Sequence, residues 1–344
     1  MTQKDTYILG IETSCDETAA AVVVNGKQVK SSAVASQIKL HEKYGGVVPE
    51  IASRAHVENI LPVVSEAIES AGIKPEVIDA VAVANQPGLT IALMVGVTAA
   101  KTLAFGWGKP LIAVNHVHAH LQSALLEAKS IELPAVALIV SGGHTNLYDA
   151  ESAIDLRLIG RTIDDAAGEA FDKVATILGL PYPGGPNIEK IAKEGDPKAI
   201  RFPRSLLDKD NLDFSFSGLK TAVLYHCQGQ DMKGENRVVS MSRQEIANIA
   251  ASFQAAVIEV LVKKSHRAAV KIGAKTILAG GGVACNNALR EAMEEMCNNN
   301  DLSLLIAPKK YCTDNAAMVA SLAYYKYEAG QFADLTLEPK ATSD

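Results

Sequence analysis

Cysteine is scarce in this chain, and the cysteines present are not arranged in pairs. The 344 residues include five cysteines, and no two of them form a Cys-x-x-Cys motif. Disulfide scaffolds are typically short chains with an even set of cysteines, and zinc fingers use Cys-x-x-Cys pairs, so both classes are excluded. The first residues, MTQKDTYILGIETS, also lack the long apolar core of a signal peptide. We therefore expect a reduced, cytoplasmic protein.

A continuous hydrophobic span is also absent. The longest uncharged stretch covers residues 80–100, a length that could cross a membrane. Asn85, Gln86, Pro87 and Gly88 interrupt it, so the stretch predicts a strand, a loop and a helix. We expect no membrane segment.

The chain has no excess of positive charge. Lysine and arginine number 33, aspartate and glutamate number 39, and the net charge is −6. Domains that coat nucleic acids through charge alone are strongly basic, so that class is excluded, although local basic patches leave a nucleic-acid substrate open. The length, with 48% apolar residues, predicts a folded protein of about two domains. Domains of this size fold without a metal, so we expect any bound metal to be functional.

Two similar β-hairpins are predicted at the start of the two halves of the chain. Residues 7–11 and 19–24 flank the polar turn TSCDET, and residues 135–140 and 146–150 flank the loop SGGHT. The recurrence predicts a duplicated domain. Strands alternate with helices elsewhere, which favours α/β layers around a buried sheet. Further predicted elements are a strand at 77–84, helices at 51–70 and 243–271, and a last helix with Thr313 as its N-cap.

The segment HVHAH at residues 116–120 opens a helical pattern. His116 and His120 are four residues apart, so on a helix they lie on one face and can bind a single ion such as zinc or iron. The alternative interpretation is a helix with surface histidines. Val117 stands where an HExxH metalloprotease has its glutamate base, so that protease mechanism lacks its main residue.

A two-histidine metal site needs a further ligand. A carboxylate would complete an arrangement that leaves positions open for a substrate. Asp314, in the segment YCTDNAAM, is a candidate for this ligand. Its alternative role is to complement the N-terminus of the last helix, and the residues alone leave both roles open.

Three loops of the chain contain glycines that could approach an anion. They are SGGHT, PYPGGP and GGGVACNN, and together they indicate a nucleotide or phosphate site. None matches the Rossmann or the P-loop pattern, so those two classes are excluded. Asp172 is a candidate for hydrogen bonds to a ribose, with a solvated helix face as the alternative.

Nine motifs in a fixed order make the chain similar to one known family. It resembles the bacterial tRNA threonylcarbamoyladenosine transferases of the TsaD family, once described as O-sialoglycoprotein endopeptidases. The resemblance covers residues from about 7 to 327. The motifs are GIETSCDET, YGGVVPEIASRAH, HVHAH, LIVSGGHT, DDAAGEAFDK, YPGGP, FSFSGLKT, GGGVACN and CTDNAAM.

The resemblance implies an α/β protein with the actin-like ATPase fold, in which two related RNase H-like lobes surround a central cleft. The N-terminal lobe would contain residues 1–134 and be completed by a C-terminal helix at 313–344. The second lobe would contain residues 135–312, with an insertion near 160–230.

The resemblance also implies the residues of the site. His116, His120 and Asp314 would bind one divalent metal, Fe(II) in the first place, with zinc or magnesium as alternatives. An adenine nucleotide, threonylcarbamoyl-AMP or ATP, would be held by a second set of residues, and no general base is visible. That set is Ile139, Val140, Ser141, Gly142, Gly143, Asp172, Gly185 and Asn286.

The chain departs from the family pattern at a few positions. Many members have a glutamate and a glycine where this chain has His118 and Ala119, and Gln86 replaces the first glycine of the loop written GPGL. Glu189 stands where members often carry an aspartate, so a ribose contact at this position is in question.

The implied reaction transfers a threonylcarbamoyl group from threonylcarbamoyl-AMP to the exocyclic amine of the adenosine 3′ of the tRNA anticodon, in tRNAs that read codons starting with A. The implied partners are tRNA, a TsaB-like paralogue and a TsaE-like ATPase. The alternatives are a metal-dependent glycoprotease, a non-catalytic scaffold and a small-molecule kinase of the same fold. The histidine pair and Asp314 favour a catalyst over a scaffold.

Overall fold

The computed structural model describes residues 4–126, 131–207, 210–229 and 237–342. The chain divides into two compact units: unit 1 contains residues 1–131, 152–156 and 307–344, and unit 2 contains residues 132–151 and 157–306. The predicted continuation of the HVHAH helix beyond 126 and the end of the insertion near 230 lie outside the described residues.

The elements follow the α/β alternation that the sequence predicts. In chain order they are β1 (Tyr7–Glu12), β2 (Glu17–Val24), β3 (Gln28–Ser36), α1 (Ile38–His41), α2 (Pro49–Ser70), β4 (Ala80–Gln86), α3 (Thr90–Trp107), β5 (Leu111–Asn115), α4 (His116–Leu125), β6 (Ala135–Val140), β7 (Thr145–Ala150), β8 (Leu156–Arg161), α5 (Ala167–Ile177), α6 (Gly184–Ala192), α7 (Ser217–Gln228), α8 (Arg243–Ile272), β9 (Thr276–Gly280), α9 (Asn287–Asn298), β10 (Ser303–Ile306) and α10 (Ala316–Glu328).

The two sheets have the same topology. The strand order is β3-β2-β1-β4-β5 in unit 1, and β8-β7-β6-β9-β10 in unit 2. The pairing directions also agree. β1 is antiparallel to β2 and parallel to β4, and β6 is likewise antiparallel to β7 and parallel to β9. Both predicted hairpins and the predicted duplication are confirmed.

The sheet of unit 1 is covered by helices on both faces. One face packs with α4 and α10, where Ile8, Ala82 and Met318 are buried, and the other packs with α2 and α3. Every residue of β2 is buried, which explains why its sequence is a continuous apolar run instead of an alternating one.

The long helix α8 organises unit 2. It begins with a capping box between Ser242 and Glu245, ends at Gly273 with a φ of 68°, and packs on β6, β7 and β9. By length and composition alone, α3 and α8 could cross a membrane, but α8 is largely buried in unit 2 and α3 packs on β4 and α2. The prediction that residues 80–100 form a strand, a loop and a helix is confirmed by β4 and α3.

Three element boundaries were predicted wrongly, and one of them is the end of the C-terminal helix, which lies at Glu328 and not at residue 344. The strand predicted at residues 77–84 begins at Ala80, because Pro75 starts a 3-10 turn that occupies Pro75–Val77. The last helix is capped by Asn315 and not by Thr313, since the Asn315 side chain accepts the hydrogen bond from the Met318 backbone N–H. Asp314 therefore lies just before the helix.

Candidate metal centre and glycine loops

The two histidines of the candidate metal centre lie at the start of α4. The helix follows β5 directly, and the Asn115 side chain caps it by accepting a hydrogen bond from the His118 N–H. His116 and His120 are buried, 6% and 0% exposed, so the alternative of surface histidines is wrong. Val117 is also buried and provides no base for a protease.

Asp314 reaches the histidines because α10 lies unusually close to β1. A Cβ on Gly10 would lie 2.4 Å from the Ala316 carbonyl oxygen, so only glycine at this position allows the first turn of α10 to pack on the strand. The packing brings Asp314 next to the end of β1 and to α4. The sequence left two roles open for Asp314: a metal ligand, or a negative charge at the N-terminus of the last helix. Its contacts with the histidines favour the role of a ligand.

The three side chains form a compact cluster. The Asp314 Oδ1 lies 3.2 Å from His120 Nε2 and 3.6 Å from His116 Nε2, and the potential ligand atoms of the three residues all lie within 4.8 Å of one another. Among the histidine, cysteine, aspartate and glutamate side chains of the described residues, these three lie close enough together to hold one ion. Two imidazoles and one carboxylate suit Fe(II) or zinc and leave positions open for a further ligand.

His120 provides the test of whether a metal fits. Its Nδ1 and Nε2 are buried and have no hydrogen-bond partner among the described residues, although the Asp314 carboxylate is 3.2 Å from Nε2. A buried polar nitrogen without a partner is unfavourable unless something else satisfies it. A metal ion held by His120 Nε2 and Asp314 would satisfy Nε2, which faces that carboxylate, and the residues therefore fit the metal that the sequence predicts.

Two residues that the sequence did not single out contact His116. The Glu12 Oε2 lies 2.8 Å from His116 Nδ1, and the Ser14 Oγ lies 3.0 Å from the same nitrogen. Burial lowers the pKa of His116, but the Glu12 and Asp314 carboxylates outweigh burial and raise it to about 9. The sequence signal for these residues was the polar turn TSCDET, which contains Ser14 and directly follows Glu12. Their contact with His116 could not be predicted, because both are more than 100 residues from it.

The departures from the family pattern leave the cluster intact. His118 lies outside the group of potential ligands, and burial together with the Lys326 charge lowers its pKa to about 4. Ala119 packs in the hydrophobic core of unit 1. In the same unit, Cys15 is a poor nucleophile, because burial, with the nearby Asp16 and Asp314 charges, raises the pKa of its thiol.

The predicted substrate residues lie in unit 2, around the turn between β6 and β7. Ile139 and Val140 end β6, and Ser141, Gly142 and Gly143 form the turn. The carbonyls of Ser141 and Gly142 accept hydrogen bonds from the N–H groups of Gly168 and Glu169, which fixes the turn on the start of α5. A Cβ on Gly142 or Gly143 would meet nothing within 4 Å, so the turn is open on that side.

Asp172 and Gly185 lie on neighbouring helices. The Asp172 Oδ1 accepts a hydrogen bond of 2.7 Å from the N–H of Gly184, the first residue of α6. A Cβ on Gly184 would lie 2.6 Å from the Asp172 Cα, so this glycine allows α5 and α6 to touch. Gly185 has nothing within 4 Å of the position of a Cβ, which leaves its backbone accessible.

Asn286 and Glu189 lie near the start of α9. The Asn286 side chain caps α9 and also donates a 2.8 Å hydrogen bond to Gln254. The Glu189 carboxylate accepts hydrogen bonds from the backbone and the side chain of Asn287. In unit 2, Asp172 thus lies in the middle of α5, Gly185 in the first turn of α6 and Asn286 at the start of α9. Glu189 joins α6 to α9.

Solved structures with a similar fold define the class of this protein. HypF of T. kodakarensis superposes with a TM-score of 0.61 at 13% identity, over 97% of this chain and 50% of that chain. The (R)-2-hydroxyglutaryl-CoA dehydratase component A of Acidaminococcus fermentans superposes with a TM-score of 0.53 at 16% identity, over 94% and 99%. The chain has the actin-like ATPase fold, as the sequence predicts.

Sequence relatives define the family. A family model described as tRNA N6-adenosine threonylcarbamoyltransferase matches residues 28–321. Relatives carrying that name are 53% identical in Moorella thermoacetica, over 97% of this chain and 95% of the relative, and 50% identical in Syntrophomonas wolfei, over 97% and 96%. The chain belongs to the TsaD family of tRNA N6-adenosine threonylcarbamoyltransferases.

Proposed function

We propose that this chain transfers the threonylcarbamoyl group of threonylcarbamoyl-AMP to the exocyclic amine of the adenosine 3′ of the anticodon, with release of AMP, in tRNAs that read codons starting with A. Family membership supports the reaction. The observation that carries a catalytic role is the cluster of His116, His120 and Asp314 with its unsatisfied His120 nitrogens. A non-catalytic scaffold would have no need for such a cluster.

His116, His120 and Asp314 would hold one divalent metal, and we propose Fe(II), with zinc and magnesium as alternatives. When bound, the metal would act as a Lewis acid on the reacting carbonyl. The chain itself would keep the site dry, because both histidines are buried, and would hold the Nε2 atoms toward Asp314. The proton acceptor for the attacking amine is not assigned to a residue of this chain.

The adenylate part of the donor would be held in unit 2 by Ile139, Val140, Ser141, Gly142, Gly143, Asp172, Gly185 and Asn286. The open glycines support this role, since a backbone without side chains allows close approach to a phosphate. Threonylcarbamoyl-AMP is an activated mixed anhydride, so positioning the donor and the amine provides much of the catalysis. We propose ATP as an alternative nucleotide at this site.

We propose that the chain acts in the cytoplasm, with tRNA as its substrate and with a TsaB-like paralogue and a TsaE-like ATPase as partner proteins. We also propose the lobe boundaries given above, 1–134 with 313–344, and 135–312.

An apolar groove between α2 and α3 supports a protein partner, because it exposes Val57, Leu61 and Met94, which are 62%, 67% and 50% exposed. Acidic net charge favours tRNA binding that depends on local patches and partners.

A reconstitution experiment tests the proposed function. The chain, its partner proteins and unmodified tRNA are supplied with threonylcarbamoyl-AMP, and the nucleosides are analysed by mass spectrometry. The wild type should form threonylcarbamoyladenosine, and His116→Ala should not. Absence of the product with the wild type would contradict the transferase, whereas equal product with His116→Ala would contradict only the metal role.

A further inference from the structure

We propose that Glu12 is a positioning residue that fixes His116 with its proton on Nδ1, so that Nε2 presents its lone pair to the metal ion. The inference rests on the metal centre proposed above and deepens it. Glu12 is the last residue of β1 and is 0% exposed. It has no access to solvent, so its role must lie in its contacts inside unit 1.

Both oxygens of the Glu12 carboxylate have a partner. Oε1 accepts a 2.6 Å hydrogen bond from the Ser14 backbone N–H, and Oε2 lies 2.8 Å from His116 Nδ1. The first bond fixes the direction of the carboxylate, and the second then fixes the plane of the imidazole. Because both oxygens are engaged, Glu12 acts through His116 and not as a ligand.

The two neighbours of His116 Nδ1 differ in the forms of the ring that they accept. Ser14 Oγ, at 3.0 Å, can donate to an unprotonated Nδ1 or accept from Nδ1–H, so it is compatible with both forms. A carboxylate has no proton to donate, and its charge would repel the lone pair of that nitrogen. A hydrogen bond from Nδ1–H to a carboxylate is charge-assisted and about twice as strong as a neutral one, so the form with the proton on Nδ1 prevails. With Nδ1 holding its proton toward Glu12, Nε2 is the nitrogen left for a metal ion, and it is the one that faces Asp314.

The orientation of His116 also affects His120. The two rings meet edge to face, with centroids 4.7 Å apart and planes at 80°. His120 has no hydrogen-bond partner among the described residues, so packing must hold it in place, and the His116 ring is part of that packing. A change at Glu12 should therefore disturb both nitrogen ligands through one contact.

Metal affinity of the full-length chain tests the inference without an activity assay. Zinc is titrated against a competing chelator with the wild type, Glu12→Gln and Glu17→Gln. Loss of a carboxylate that orients a metal-bound histidine typically weakens metal affinity about 10- to 100-fold, and we expect this for Glu12→Gln. Glu17→Gln is the control for the same substitution at a buried position, because Glu17 is a buried glutamate in the same hairpin that is bonded to Ser36 instead of a histidine. We expect its affinity to stay within about twofold.

Nuclear magnetic resonance of the zinc-loaded chain provides a second measurement. The wild type should show a protected, downfield Nδ1 proton on His116 with zinc on Nε2, and Glu12→Gln should lose or shift it. This measurement on the wild type still decides the question if Glu12→Gln does not fold. An unchanged affinity of Glu12→Gln, an equal loss in Glu17→Gln, or the absence of the Nδ1 proton in the wild type would each overturn the inference. A wild type that binds no zinc would overturn the proposed metal centre as well.

Discussion

The first hairpins of the two units occupy the same place in identical strand orders, but their turns differ in chemistry. Glu12, the last residue of β1, and Ser14, in the turn between β1 and β2, contact His116 with their side chains. The turn between β6 and β7 carries Gly142 and Gly143, whose surroundings are open. The first hairpin therefore places side chains against the candidate metal centre and the second offers bare backbone, and the difference lies in a few residues at the two turns.

Both turns are braced by glycines from other segments of their own unit. A Cβ on Gly88 would lie 2.6 Å from the Ser14 carbonyl oxygen, and one on Gly96 would lie 2.4 Å from the Thr13 hydroxyl. In unit 2, Gly168 and Gly281 approach the carbonyls of Ser141 and Val140 equally closely. Close packing of glycines against the turn is common to both hairpins, so it is a feature of the shared fold. The two sites differ in the side chains at their turns.

The largest effect is expected from breaking the metal cluster of unit 1. Asp314→Ala removes the carboxylate that faces both histidines. Loss of metal-assisted charge stabilisation should lower tRNA modification about 1,000-fold, equivalent to about 4 kcal/mol, with loss of bound metal. Metal content and modification rate are measured together. Glu328→Gln, an exposed carboxylate at the end of α10, is the control, and an equal loss there would contradict a specific role for Asp314.

The next largest effect is expected from breaking the brace of the unit 2 hairpin. Gly281 has a φ of 94°, and a Cβ there would lie 2.4 Å from the Val140 carbonyl oxygen. Gly281→Ala should lower the free energy of unfolding by about 3 kcal/mol, from backbone strain and steric overlap together. Gly282→Ala, at a position with nothing within 4 Å, should change it by less than about 0.5 kcal/mol. Denaturant unfolding measures both, and similar values would contradict the bracing.

A smaller effect, dependent on pH, is expected from Glu17 in the first hairpin. Burial, followed by the Asp16 charge, raises the pKa of Glu17 to about 8 from an ordinary value of 4.5. The folded chain thus binds a proton that the unfolded chain has released, and stability falls as pH rises from about 4.5 to 8. Glu17→Gln should abolish this fall, which we expect to be about 2 kcal/mol between pH 6 and pH 8. Unfolding measured at pH 6 and pH 8 checks it, and parallel curves for both proteins would contradict it.

The sequence predicted the duplicated fold and the cluster because both depend on local patterns or on motif order. The hairpins follow from alternating apolar runs and turns, and the histidine pair follows from helical spacing. The role of Asp314 could not be decided from sequence, because it depends on how closely α10 packs on Gly10. The contact between Glu12 and His116 could not be predicted either. Glu12 ends β1 and His116 directly follows β5, and only the strand order β1-β4-β5 brings the ends of these two strands to the same edge of the sheet.

The smallest effect is expected from the serines at corresponding places in the two turns. Ser14 is the second partner of His116 Nδ1, whereas Ser141 lies in unit 2 and has its N–H bonded to the His144 carbonyl. A single neutral hydrogen bond contributes about 1 kcal/mol, so Ser14→Ala should weaken zinc affinity about fivefold, and Ser141→Ala should leave zinc affinity unchanged. Chelator competition on the two variants checks this. A fivefold loss of zinc affinity in both serine variants would contradict the assignment of metal binding to the first hairpin alone. A larger loss for Ser14→Ala than for Glu12→Gln would make the Ser14 hydroxyl the main group that orients His116.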